Sequence, residues 1–210
     1  LALEIARRRA RDGQRVALLC YSRGLGRYLQ RVTAAWPARD RPAYVGLFRD
    51  LAHEWGAARP DGEPSSSYWE ETLPQTLREL ASAAPLDKRF DAIVVDEAQD
   101  FGDPWWLSTI ACLRDPAAGG LFVFLDEEQK VFARDGVAPI DVPPVTLSEN
   151  VRSTKQIAQL SGALRTDTVT PRGGAGAPVR MVEASEDDAV ERADAVLDAL
   201  LDEGREPGQI

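Results

Sequence analysis

Residues 91–95, Asp-Ala-Ile-Val-Val, constrain this chain most, because they form an apolar, β-branched run with no polar alternation. A strand with one wet face alternates, whereas a strand covered on both faces does not. Arg15-Val-Ala-Leu-Leu-Cys20 and Leu121-Phe-Val-Phe-Leu125 also read as buried strands, and a shorter one is expected near residues 43–45. Helical spacing is read over residues 1–12, which stop at Gly13, and over 24–35, with Leu25, Tyr28, Leu29 and Val32 on one side. Further helices are expected over 47–55, over 68–83 despite Pro74, and over 104–113. The Pro-, Gly- and Ser-rich stretch 57–67 reads as an exposed loop. After Pro139, Pro143 and Pro144, strands are expected at 145–147 and 179–183 and helices at 153–164 and 186–202, with a glycine-rich loop at 172–178. Strands alternating with helices imply right-handed crossovers, hence an α/β fold with a mostly parallel sheet between helical layers, a three-layer αβα arrangement.

Composition removes several classes of function. No stretch approaches a membrane span or a signal peptide, so no membrane partner is expected. Cys20 and Cys112 stand alone and far apart in apolar surroundings, which suits reduced core thiols of a cytoplasmic protein better than a disulfide or a metal site. His53 is the sole histidine, leaving almost no material for histidine-rich zinc sites or His-dependent triads. The net charge of −9 argues against a uniformly basic coat, but the charge is uneven. Residues 21–60 carry seven arginines against Asp40, Asp50 and Glu54, a balance of +4, while residues 182–206 balance at −8. A local basic face can steer a phosphate backbone even on an acidic protein.

Ligands of open parallel sheets bind at the carboxyl ends of the strands. That rule places residues 21–24, Asp96 and Glu97, residues 126–129 and residues 149–152 along one edge. Hydrolysis of a nucleoside triphosphate needs Mg2+ on the outer phosphates, a polar group that orients water, and positive charge at the γ-phosphate. Asp96 is placed to hold Mg2+, and Glu97, just past the strand end, to orient or deprotonate the attacking water. The phosphate-cradling pattern GxxxxGK[ST] does not occur between Leu1 and Ile210.

Asp96-Glu-Ala-Gln-Asp100 resembles the Walker B segment, or motif II, of superfamily 1 DNA helicases of the UvrD/Rep type. Leu125-Asp-Glu-Glu-Gln-Lys-Val-Phe132 resembles motif III, which would make Gln129 the γ-phosphate sensor and Phe132 a residue stacking on a base of single-stranded DNA. Leu147-Ser-Glu-Asn-Val-Arg-Ser-Thr154 resembles motif IV, giving Arg152 the γ-phosphate contact from the second domain. Leu19-Cys-Tyr-Ser-Arg-Gly-Leu25 is similar to motif Ia, and Val45-Gly-Leu-Phe-Arg-Asp-Leu51 to a degenerate motif Ib. Tyr21, Arg23 and Phe48 are thereby candidate nucleic-acid contacts. The motif III glycine is replaced by Leu125, the motif IV tyrosine by Val151, and the motif Ib histidine by Arg49. The spacing from motif Ib to Walker B is too short for the large inserted subdomain of the best-known members, so a compact branch is implied.

The resemblance implies a RecA-like P-loop NTPase fold, with residues 1–143 as a first motor domain lacking its P-loop strand and loop and 144–210 as the opening part of a second. It implies ATP and Mg2+ as cofactors, and single-stranded DNA, or a duplex with a single-stranded tail, as partner. A nuclease-related domain in the same or a neighbouring protein is a further implied partner. Leu1-Ala-Leu-Glu-Ile-Ala is what would follow GKT, so the sequence is expected to be an excerpt starting just after that loop and stopping before motifs V and VI. Two alternatives stand beside an ATP-driven translocase: a P-loop ATPase that does not translocate, and an inactive helicase-like scaffold that binds nucleic acid.

Overall fold

In the computed structural model of the chain, which describes residues 1–126, 129–130, 136–163 and 169–209, every residue of β1 (Val16–Cys20) is buried, as a strand without alternation demands. The chain divides into two units, Leu1–Pro143 and Pro144–Ile210. In the first, β1 lies between β2 (Tyr44–Leu47) and β3 (Ala92–Asp96), and β4 (Gly120–Val123) follows β3, giving the order β2-β1-β3-β4 with all neighbours parallel. Alternate residues feed two cores. Val16, Leu18, Cys20, Ala92 and Val94 pack with residues of α1 (Ala2–Arg11) and α2 (Arg23–Ala34). Ala17, Leu19, Ile93 and Val95 pack with α3 (Phe48–Glu54), α4 (Leu73–Ala83) and α5 (Asp103–Ala111). The unit is thus α/β, with a parallel central sheet and helices on both faces.

Local chemistry explains how these helices sit. Ala2, Ala6 and Ala10 form the buried stripe of α1, small side chains that let the helix approach the sheet closely. Gly13, at φ +82°, takes the left-handed turn that ends α1, and its N–H reaches the Ala10 carbonyl at 2.9 Å. Ser22 caps α2 by accepting from the Leu25 N–H at 3.3 Å. Asp40 is buried where α1 meets the turn Ala38–Asp40, and its carboxylate accepts from Arg7 at 2.9 Å and Arg11 at 2.8 Å. The helix expected over 68–83 begins as a π-helical turn, Tyr68–Thr72, and becomes α-helical at Leu73. Pro74, the second residue of α4, follows directly on that π-helical turn, so its missing N–H and its ring fall where the regular α-helical hydrogen-bond pattern is already interrupted. Cys20 and Cys112 are free and buried, and burial pushes both thiols up to about 12.

The second unit contains β5 (Glu149–Asn150) and β6 (Thr170–Pro171), paired in parallel, with α6 (Lys155–Gly162) and α7 (Ala189–Asp202). The strands expected at 145–147 and 179–183 do not form: Val145 is 91% and Met181 82% exposed. Neither segment has a neighbouring strand among the described residues, and an extended segment without a partner leaves its amides to water and covers no apolar surface. The glycine-rich loop lies against the start of α6, where the Gly174 carbonyl accepts from the Lys155 N–H at 3.0 Å. A Cβ on Gly173 would sit 1.9 Å from the Ser153 carbonyl oxygen, so this loop needs glycine for close backbone approach. Among the described residues no helix is long and apolar enough to cross a membrane.

Candidate functional site

Parallel register brings the carboxyl ends of the first unit's strands together. Cys20 lies opposite Asp96, and Val95 opposite Val123. Beyond the strands, the Phe124 N–H donates to the Val95 carbonyl and the Ala98 N–H to the Phe124 carbonyl, both at 2.9 Å. The turn after β3 is therefore stitched to the segment after β4, and Asp96, Glu97, Asp126 and Gln129 fall in one neighbourhood.

Asp96 ends β3 half-buried, and its carboxyl is raised above the ordinary value, first by burial and then by the charge of Glu97. Glu97 is exposed and left-handed, with φ 54° and ψ 50°, the sole non-glycine residue with positive φ among those described. Such a conformation costs on the order of 1–3 kcal/mol and persists only where the surroundings over-determine it. Here it returns Ala98 to the core while Glu97 points to solvent. The Gln99 Nε2 donates to Glu97 Oε2 at 2.8 Å, and Gln99 Oε1 accepts from the Asp126 N–H at 3.2 Å. Asp126 Oδ2 in turn accepts from Gln129 Nε2 at 2.7 Å. Both ends of the Gln99 amide are used, and the reverse orientation would set its carbonyl against a carboxylate. A continuous chain thus runs from Glu97 through Gln99 and Asp126 to Gln129. Sequence spacing singles out its two ends but not the two links, although an amide two residues past Glu97 and an acid at the β4 exit were signals for them.

These oxygen donors fit Mg2+. No cluster of three or more metal-ligating side chains occurs among the described residues, which speaks against an all-protein cage. Mg2+ needs no cage: it keeps several waters and takes one or two carboxylates together with phosphate oxygens. Asp96 can supply such a ligand. The fit to ATP is narrower, because the 210 residues hold no GxxxxGK[ST] loop and Val151 is an aliphatic side chain, 74% exposed, with no planar face for adenine.

Residues 149–152 do not lie on this sheet. Glu149 and Asn150 pair with Thr170 and Pro171 in a separate two-stranded sheet of the second unit, so the shared edge holds the other three strand exits. Arg152 is exposed; Asn150 Oδ1 accepts from its backbone N–H at 3.2 Å and from that of Ser153 at 2.9 Å. Glu149 pairs with Arg172 at 2.7 Å, and the Arg152 guanidinium has no ion pair among the described residues.

The candidate nucleic-acid residues separate. Phe48 is not a surface contact: it is 1% exposed, its ring stacks on Trp105 at 4.4 Å, and Phe101 meets its edge. Because β2 passes into α3 with no intervening residue, the first helical side chain drops into the core. Tyr21 is half-buried, tilted 38° to Trp105 at 5.8 Å, in the wall of a cavity of about 160 Å3. Arg23 opens α2, exposed, in the wall of a second cavity of about 370 Å3. Phe132 lies outside the described residues. No protein-family model matches the chain, and a search of curated proteins finds no match either.

Proposed function

We propose that Asp96, Glu97 and Gln129 belong to the ATP-hydrolysing centre of a RecA-like P-loop motor of the superfamily 1 helicase type, cytoplasmic and acting on single-stranded DNA. The hydrogen-bonded chain from Glu97 to Gln129 carries this reading. It joins the group that would handle the attacking water to the group that would sense the γ-phosphate. Mg2+, when bound, supplies charge neutralisation on the outer phosphates. Asp96 would hold it, and the bound cation would favour the ionised form of a carboxyl that burial and Glu97 raise above its ordinary value. Glu97 accepts the proton of the attacking water, and Gln99 positions its carboxylate from the side. Arg152, whose guanidinium no carboxylate of the described residues engages, is the candidate for the positive charge that γ-phosphate chemistry needs. Tyr21 and Arg23 are the remaining strand contacts.

A second reading, a nucleic-acid-binding scaffold that does not hydrolyse ATP, draws on Val151 and on the lack of a phosphate loop within the 210 residues. One experiment separates the two. The 210-residue chain alone is expected to show negligible ATPase, whereas a polypeptide that joins it to a GxxxxGK[ST] loop should hydrolyse ATP with stimulation by DNA. There Glu97→Gln should lower the rate by about 10²–10⁴-fold while a fluorescent ATP analogue still binds. Unchanged hydrolysis removes Glu97 from the chemistry, and loss of analogue binding makes it a structural residue. Binding without hydrolysis in the unmutated polypeptide favours the scaffold.

A further inference from the structure

The cavity of about 370 Å3 is a concentration of guanidinium groups without an ion pair among the described residues. Arg23 and Arg27 reach it from α2, Arg49 from α3 and Arg59 from the loop beyond, with Asp50 as the acid in its wall. Elsewhere in this unit most of the described arginines are engaged: Arg7, Arg11 and Arg39 with Asp40, Arg8 with Glu4, Arg114 with Asp91, Arg15, Arg41 and Arg89 with backbone carbonyls, and Arg9 over the Phe122 ring. Arg31 and Arg78 have neither an ion pair nor a side-chain hydrogen bond among the described residues, and they do not line the cavity. Among the described residues, none of the four cavity arginines has an ion pair or a side-chain hydrogen bond, on a chain whose net charge is −9. Solvated guanidinium groups on a convex helix face need no explanation. Four lining one concavity, where low-dielectric walls focus the field, create an anion site.

Two features define the anion. The volume, about 370 Å3, lies at the small end of the roughly 300–1,000 Å3 range of ligand sites, enough for one nucleotide unit and not for a duplex. Trp69 forms part of the same wall, with the Arg49 guanidinium 5.6 Å from its ring centroid, and Arg49 and Trp69 also line the smaller cavity beside Tyr21 and Trp105. Aromatic faces next to guanidinium groups are the chemistry that grips a base and its phosphate together. A terminal phosphate monoester offers three free oxygens and close to two negative charges, so several guanidinium groups can hold it at once. An internal diester offers two oxygens and one charge, and must continue out on both sides.

We infer that this cavity binds the terminal phosphate monoester of a nucleic-acid strand, with the adjoining base against Trp69. The site goes beyond the hydrolytic reading and needs neither ATP nor the carboxylates at Asp96 and Glu97. A free mononucleotide carries the same chemistry, so the test has an arm for each source.

Fluorescence anisotropy of a short single-stranded oligonucleotide, carrying a phosphate at its 5′ end, its 3′ end or neither, measures the preference without ATP. A phosphorylated strand should bind about tenfold or more tightly than the unphosphorylated one, the effect of a charged hydrogen-bonding group gaining its partners. Arg27→Ala and Arg59→Ala alter exposed side chains and should bring the phosphorylated strand down to the affinity of the unphosphorylated one, with melting curves confirming the fold. Displacement by an equal concentration of nucleoside monophosphate would support the monoester site and give it to the free nucleotide. Equal affinities for all three strands, or a preference that survives both substitutions, overturns the assignment. Failure of ATP hydrolysis would leave it untouched, because no nucleotide triphosphate enters the assay.

Discussion

The two units run through similar alternations of apolar and polar segments and arrive at opposite degrees of burial. In the first, β1 and β3 are covered on both faces, and the rings of Phe48, Phe101, Trp105 and Trp106 interlock beneath them. In the second, Ala158 is the one buried residue among those described, and α7 keeps Val190, Val196, Leu197 and Leu201 exposed. The contrast shows which elements a sequence forms by itself. Helices close their own hydrogen bonds, so α6 and α7 exist with little packing, whereas strands depend on neighbours and two of those expected in the second unit are missing.

The sharpest way to break this contrast is to remove apolar mass from each unit. Phe101→Ala deletes a fully buried ring and should destabilise the first unit by about 3–5 kcal/mol. Leu201→Ala, on the exposed face of α7, should stay within about 0.5 kcal/mol. Urea titration reads both, since all five tryptophans lie in the first unit and their fluorescence follows it alone, while circular dichroism follows the helices of both. Comparable losses would mean that the second unit has a core of its own in solution.

A smaller effect is expected from the buried charge. The hydrogen bonds from Arg11 and Arg7 hold the Asp40 carboxyl well below the ordinary carboxylate range against the opposing effect of burial. A depressed carboxylate stabilises the fold at pH above its unfolded value, about 3.9, and the contribution is lost as pH falls through the folded value. Asp40→Asn should therefore lower the melting temperature of the first unit at neutral pH, with the gap to the unmutated protein closing as pH drops below that range. A gap independent of pH would make the Arg7, Asp40 and Arg11 cluster a matter of shape and not of charge. In the second unit Arg180 likewise depresses Glu203, but both are exposed, where solvent and salt screen the pair.

The parallel sheet and its flanking helices were legible because unbroken apolar runs and helical spacing report burial directly. Strands 145–147 and 179–183 were misread because their composition suits a sheet and the pattern does not say whether a neighbour exists. Phe48 was misread for a geometric reason, since no loop separates β2 from α3 and one residue of register decides whether the ring meets solvent or Trp105. Asp96, Glu97 and Gln129 stood out at strand exits, but the link through Gln99 and Asp126 depends on how the exits of β3 and β4 are stitched, which no local pattern carries. The excess of arginine over 21–60 was countable, yet its concentration into a cavity arises when α2, α3 and the loop beyond fold onto one another.

The finest difference between the units lies in where each keeps left-handed backbone. Among the described residues of the second unit, positive φ occurs at Gly204, where no Cβ is present to object, whereas the first unit imposes it on Glu97 as well as on glycines. If that conformation is held by the packing of Ala98 and the stitching to Phe124, its cost remains whatever side chain carries it. Glu97→Ala keeps the Cβ, and Glu97→Gly removes it; neither can accept from Gln99. The glycine substitution should therefore give a protein more stable than the alanine one by about 1 kcal/mol, the left-handed penalty less part of glycine's greater chain entropy. Equal stabilities in parallel urea titrations would show that the turn relaxes once the carboxylate is gone, and that the Glu97 to Gln99 hydrogen bond, not the core beneath, sets the backbone there.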